Sequence, residues 1–205
     1  MKLLFSLSIF FVFILSCKST QVTIPLYNGP RNFSMDRYLK DMDNNFNPYE
    51  GTWKWQNGNN SLTIQLKKIT KYYEDRNIYN TFYSDYLIGE YTLVKNGATV
   101  INSMPLNYSG EPSSHAISGG VITTMNMQNL PCQEYNPLGR RQILVSIVEL
   151  EHPALHGELR MEYFVQNGVQ KIKARIFTTD IVGVDASYTG PKDLASEGFY
   201  TLIKQ

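Results

Sequence analysis

Three Asn-Gly dipeptides, Asn57-Gly58, Asn96-Gly97 and Asn167-Gly168, each sit between two runs in which apolar and polar residues alternate. Asn and Gly most readily take the positive φ that a two-residue hairpin turn demands. Alternation with a period of two puts one face of a run in oil and the other in water, which is strand patterning. Before the first turn, Trp53 and Trp55 share a face; after Asn57-Gly58-Asn59-Asn60, the residues Leu62, Ile64 and Leu66 alternate with Thr63, Gln65 and Lys67. The second hairpin is predicted over residues 86–95 and 98–103, and the third over 158–166 and 169–178. In the third, Leu159, Met161, Tyr163 and Val165 face one way and Arg160, Glu162 and Phe164 the other. Adjacent hairpins make an antiparallel sheet and leave no room for the crossover helices of βαβ units. Further strands are expected over 68–74, 117–124, 142–150 and 199–203. The fold class is therefore all-β: an antiparallel barrel or a sandwich of roughly eight to ten short strands. A short helix is expected before it, over residues 35–43, capped by Ser34 with Asp36 in its first turn and Met35, Tyr38, Leu39 and Met42 on one face.

Composition excludes the main alternatives. With 14 Tyr, 10 Phe and 2 Trp in 205 residues, the chain has the aromatic surface that a disordered polymer lacks. Lys+Arg is 19 and Asp+Glu is 18, so a net charge of +1 supplies no bulk field for nucleic acid.

The N-terminus reads as an address. Lys2 is followed by an apolar run over residues 3–15, broken only by Ser6 and Ser8. As a helix it spans roughly 20 Å, short of the ~30 Å hydrocarbon core of a bilayer, so it reads as a secretory leader. The junction Ile14-Leu15-Ser16-Cys17 resembles a bacterial lipobox, in which the Cys takes a thioether-linked lipid and the leader is cut before it. Leu15 departs from the small residue usual at that place. The alternative is an ordinary secreted protein whose leader ends near a chance Cys. The chain divides accordingly: a lipoprotein signal peptide at 1–16, a Pro-stiffened tether at 17–33 and one domain at 34–205. With Cys17 lipidated, Cys132 has no partner within the chain and no disulfide is expected.

Catalytic signatures are missing: no Gly-x-Ser-x-Gly elbow, phosphate loop, His-Glu-x-x-His or Gly-x-Gly-x-x-Gly occurs. His152 and His156, with Glu149, Glu151 and Glu158 nearby, have the spacing of helical metal ligands, but Pro153 and the flanking strands favour a solvated turn. Ser113-Ser114-His115 pairs a nucleophile with a base in sequence, yet neighbours on a loop rarely face each other and no orienting carboxylate is evident. Cys132 has no neighbouring cation to activate it. Tyr72-Tyr73 and the aromatics over 79–86 supply rings for stacking or for packing. No catalytic residue, metal or cofactor is assigned.

Residues 38–41, Gly51-Thr52-Trp53-Lys54-Trp55, Asn57-Gly58-Asn59, residues 62–68 and Leu87-Ile88-Gly89-Glu90-Tyr91 together resemble an uncharacterised family of small flavobacterial-type lipoproteins. That resemblance implies an exported, lipid-anchored protein and brings no activity with it. Gly51-Thr52-Trp53 is similar to the Gly-x-Trp that opens the first barrel strand of lipocalins and wider calycins. This likeness implies that Trp53 plugs a closed barrel end beneath an Arg from a late strand, either Arg175 or Arg160; otherwise Trp53 is a core anchor of a sandwich.

The leading expectation is a non-catalytic binding module, taking a small apolar ligand in a barrel mouth or a partner on its loops, with no nucleic acid partner. A structural or interaction lipoprotein with a filled core is the alternative, and an envelope hydrolase the third. Lys-Ser-Thr-Gln after Cys17 lacks the acidic cluster of surface-exported relatives, so the resemblance implies the outer membrane, facing the periplasm. Replacing Cys17→Ala is expected to move the protein from the membrane pellet to the soluble fraction; a variant still pelleting after a high-salt wash contradicts the anchor.

Overall fold

The three hairpins form where the alternation places them. In the computed structural model, which describes residues 21–27, 37–75, 81–108, 110–124, 140–181 and 189–205, Asn57 pairs with Asn60, Lys95 with Ala98 and Gln166 with Val169. Asn96 and Gly97 have φ of 54° and 80°, and Asn167 and Gly168 have 52° and 76°, as a type I′ turn requires. At the first turn Gly58 alone is positive, at 57°, which suits type II′.

The strands are β1 Val22–Pro25, β2 Arg37–Lys40, β3 Gly51–Asn57, β4 Asn60–Asp75, β5 Thr81–Lys95, β6 Ala98–Asn102, β7 Ile117–Thr123, β8 Gln142–Glu149, β9 His152–Gln166, β10 Val169–Ile181 and β11 Gly198–Lys204. The antiparallel order β5-β4-β3-β11-β10-β9-β8-β7 returns to β5 through Leu87 opposite Gly119, Ile88 opposite Ser118 and Gly89 opposite Ile117. The result is a closed eight-stranded barrel and not a sandwich. An interior of that strand number is just wide enough for side chains to fill. Trp53, Leu62, Ile64, Leu87, Tyr91, Leu93, Ile117, Ile143, Ile147 and Leu155 are wholly buried within one core cluster.

Four expectations are corrected. Residues 37–40 form a strand and not part of a helix: Tyr38 and Leu39 pair in parallel with Tyr83 and Ser84 of β5. A single helical turn has little stability of its own, and the open edge of β5 outbids it. Ser34, Met35 and Asp36 lie outside the described residues. The tether contains structure, because β1 pairs in parallel with β2 and buries Ile24. Residues 68–74 are no separate strand: they continue β4 past a bulge where Lys71 has φ 54° and donates its N–H to Asp85 Oδ1 at 2.9 Å. The turn expected at the two histidines falls at Leu150-Glu151 instead, and His152 begins β9.

Residues 41–50 cross one end of the barrel and seal it. Phe46 and Tyr49, the latter in a 3-10 turn, are buried there. Trp53 Nε1–H donates to the Tyr49 carbonyl at 2.6 Å; the Tyr49 hydroxyl donates to Met161 O at 3.3 Å and accepts from the Tyr163 N–H at 3.0 Å. Two buried carboxylates hold this plug. Asp85 accepts from the Asp41 N–H at 2.9 Å and the Tyr38 hydroxyl at 2.5 Å. Asp41 accepts from the N–H groups of Asn45 and Phe46 at 2.7 and 2.9 Å and from Lys68 Nζ at 3.0 Å. Burial opposes the Asp41 charge, but these donors outweigh it and hold its carboxyl below the usual carboxylate range.

A depressed carboxyl contributes stability above its unfolded pKa of about 4 and loses it as pH falls through the folded value. Asp41→Asn is expected to cost about 2–3 kcal/mol at pH 7, because a charge-assisted donor set loses its anion. Urea titrations across the acid limb are expected to show the difference from the parent shrinking as pH drops below 4; a constant difference contradicts this role.

Candidate functional site

With the core filled and one end plugged, the remaining opening is at the other end, where the β8–β9 turn, β6 and residues 191–195 meet. A cavity of about 130 Å³ lies there, lined by Tyr91, Ile101, Ala116, Val148, Glu149, His152 and Asp193 among others. Inward positions on β8 are Ile143, Val145 and Ile147, and Glu149 is the next of the same parity, so a carboxylate arrives where the pattern has placed aliphatics. Glu149 is 3% exposed and accepts from the Ser196 N–H at 3.4 Å. The Tyr91 hydroxyl donates to Val148 O at 3.4 Å, and the Tyr200 hydroxyl to Ser196 O at 2.7 Å. Burial pushes the Tyr91 hydroxyl well above the usual tyrosine range, and the Glu149 charge adds to the shift. Residue 157 must be Gly: a Cβ there would stand 2.2 Å from Leu194 Cδ1 and 2.7 Å from Phe177 O, so its absence lets Leu194 pack over the mouth. Glu149, Glu151 and Asp193 line the cavity, and its lining among the described residues contains no Lys or Arg.

A more open cleft of about 340 Å³ lies outside the barrel, against Tyr72, Tyr86, Glu111, Ser113 and Ser118. Tyr72 and Tyr86 meet edge-on across β4 and β5, with ring centroids 6.1 Å apart, so this part of the aromatic stretch packs on itself. Beside it, on the outer face of β5, Glu90 Oε1 and His115 Nδ1 are 3.0 Å apart and both side chains are buried. The orienting carboxylate absent from the local sequence is thus Glu90. Among the described residues no nucleophile completes it: the hydroxyls of Ser113 and Ser114 donate to Glu111 Oε2 at 3.4 Å and Glu111 O at 2.7 Å, and His115 Nε2 has no partner.

Trp53 closes the plugged end, its ring edge-on to Tyr163 at 6.3 Å. Arg175 does not cross it. Arg175 alternates with the inward Ala174 and Ile176, stands on the outer wall and stacks on Phe177 at 4.7 Å and Phe199 at 5.2 Å. Arg160, its cross-strand neighbour, lies on the same outer face. The cation over the Trp53 ring is Lys204, at 5.3 Å, because β11 pairs Lys204 with Trp53. His152 lines the mouth cavity, while His156 sits in the β8–β9–β10 ladder; among the described residues no three potential metal ligands converge. Cys17 and Cys132 lie outside the described residues.

A family model described as Family of unknown function (DUF6705) matches residues 1–205. The chain belongs to that family. No curated protein and no solved structure matches it. Membership in DUF6705 agrees with the uncharacterised family that residues 38–91 resemble, and the eight-stranded barrel fits a lipocalin-like fold.

Of the residues that shape the mouth of this DUF6705 barrel, sequence reasoning named Glu149, Glu151 and His152 only as weak metal ligands and missed Tyr91, Asp193 and Ser196. It also passed over Glu90 on the outer face; the available signal was a charge inside an apolar run, Glu90 in Leu-Ile-Gly-Glu-Tyr and Glu149 in Ile-Val-Glu-Leu. A buried carboxylate placed by strand parity is expensive unless it is hydrogen-bonded, so such a residue marks a site or a latch. Ser196 carried no signal, since it reaches the mouth through a loop.

A raised tyrosine pKa contributes stability below the unfolded value of about 10 and loses it as pH climbs. Tyr91→Phe is expected to change neutral stability by under about 1 kcal/mol, since its hydroxyl makes one long bond, and to raise the pH midpoint of alkaline unfolding. An unchanged alkaline midpoint, read by far-UV circular dichroism, contradicts burial of an ionisable phenol at this position.

Proposed function

We propose that this protein is a lipid-anchored, non-catalytic binding module of the bacterial cell envelope, moored through Cys17 to the outer membrane on its periplasmic side. Recognition belongs to the open barrel end and not to a ligand lodged inside the barrel. The observation that carries this reading is the size and lining of the mouth cavity, about 130 Å³ with Glu149 buried in its wall. Sites for whole small molecules span roughly 300–1,000 Å³, whereas a cavity near 150 Å³ admits a group the size of benzene. The filled core argues against an acyl chain or other extended apolar ligand within the strands.

Glu149, Glu151 and Asp193, with no Lys or Arg lining the cavity among the described residues, select for positive charge. The group bound is therefore a compact ammonium-bearing one, at the end of a small molecule or on a partner's side chain. The likeness of Ile14-Leu15-Ser16-Cys17 to a lipobox supports the anchored setting.

Thermal denaturation in millimolar benzylammonium is expected to show a rise in Tm, because a ligand binding only the folded state stabilises it by mass action. Benzoate at the same concentration is expected to give none, and Glu149→Gln to abolish the ammonium effect. Equal shifts with both ions, or a shift that survives Glu149→Gln, would overturn the site.

A further inference from the structure

The outer wall of the barrel carries two arginines where a sheet does not tolerate like charges. Arg175 on β10 lies directly opposite Arg160 on β9, and Phe199 and Leu144 continue the row on β11 and β8. Directly opposed residues in an antiparallel pair hold their Cβ atoms about 5 Å apart, and like charges in that relation destabilise the pair. Acidic relief is incomplete. Glu162 bonds to Arg140 at 3.1 Å, and Glu158 reaches Arg160 Nη2 only at 3.4 Å. Arg175 has its guanidinium against the rings of Phe177 and Phe199, which supply no acceptor in its plane. Arg160 Nε and Arg175 Nη1 are shut off from solvent and have no hydrogen-bond partner among the described residues. A buried donor without an acceptor is costly, more so when charged, so two such donors on cross-strand neighbours leave an unmet demand for an anion.

We propose that Arg160 and Arg175 form an oxyanion-binding site of the phosphate class. A phosphate oxygen pair matches the fork of a guanidinium bidentately, and an anion bridging two forks removes the like-charge repulsion between them. Phe199, half-exposed beside Arg175, is the apolar shelf against which the organic part of a phosphoryl compound rests. Glu158 is the internal competitor, since its carboxylate sits at Arg160 Nη2, on the same guanidinium as the unmet Nε. Free phosphoryl compounds and the phosphodiester headgroup of a lipid share this chemistry. The site faces outward from the wall, away from the mouth cavity, and stands independently of the function proposed above.

The test uses the full chain carrying Cys17→Ala, so that no acyl group contributes, with inorganic phosphate in calorimetric titration and phosphatidylglycerol vesicles in flotation. Binding is expected to weaken about tenfold in Arg175→Gln and in Arg160→Gln, the loss of one charge-assisted pair. Arg175→Lys is expected to fall between, keeping the charge and losing the fork, and Glu158→Gln to bind more tightly than the parent. Without phosphate, Arg175→Gln is expected to hold or raise Tm, whereas a merely structural arginine would lower it. Phosphate binding that follows this order assigns the site to free phosphoryl groups; vesicle binding that follows it, without inorganic phosphate, assigns it to lipid headgroups. Binding of neither probe, or affinities unchanged in both Gln variants, overturns the proposal.

Discussion

The barrel closes through three residue pairs between β5 and β7, and every other feature depends on that seam. Without it the inward side chains of both strands would face water. Glycine makes the approach feasible at Gly120, where a Cβ would stand 2.9 Å from Asp85 O across the seam. On the other side of β5, a Cβ on Gly89 would stand 2.6 Å from Gln65 O of β4. Gly119, at φ 154°, has room for no more than a 3.0 Å approach to Val145 Cα. The bulge between Ser118 and Val121 turns β7 from its β8 partner toward β5. One long strand, β5, thus serves β2, β7 and β6 in succession along a single edge, while β4 runs along the other.

Closure gives the molecule two unlike ends. One is sealed by Phe46 and Tyr49 and locked by Asp41 and Asp85, whose carboxylates are met by backbone and side-chain donors. Such fully satisfied buried charge rigidifies, because removing any donor leaves an anion in a low dielectric. The other end carries carboxylates around a small cavity and is covered by a loop whose Leu194 fits only because residue 157 lacks a side chain. The contrast is between carboxylates met by several short hydrogen bonds and a buried carboxylate, Glu149, met by one long bond from the Ser196 N–H. The outer wall repeats it: Glu162 and Arg140 are paired, and Arg160 and Arg175 retain donors unmet.

Strand existence was legible because it rests on nearest-neighbour chemistry. Period-two alternation and Asn-Gly turns act over a few residues; the second and third hairpins stand at the register they imply, and the first turns one residue later, at Gly58-Asn59. The failures share a cause. Residues 37–40 read as helix because Tyr38, Leu39 and Met42 have helical spacing, yet the strand comes from β5, more than forty positions away in the chain. Arg175 read as a lid on Trp53, but parity along β10 turned it outward, and β11 brought Lys204 to that place from the C-terminus. The mouth was invisible for the same reason: Tyr91, Glu149 and Ser196 converge only once the ring is shut.

From the order of its residues alone, this chain is committed to hairpins and to an all-β architecture, since each is a property of short segments. Barrel over sandwich, the sealed and open ends, and the facing arginines were decided by tertiary structure. Those outcomes depend on which distant edges meet, and pairing between edges is governed by steric access and unsatisfied hydrogen bonds that no short stretch contains.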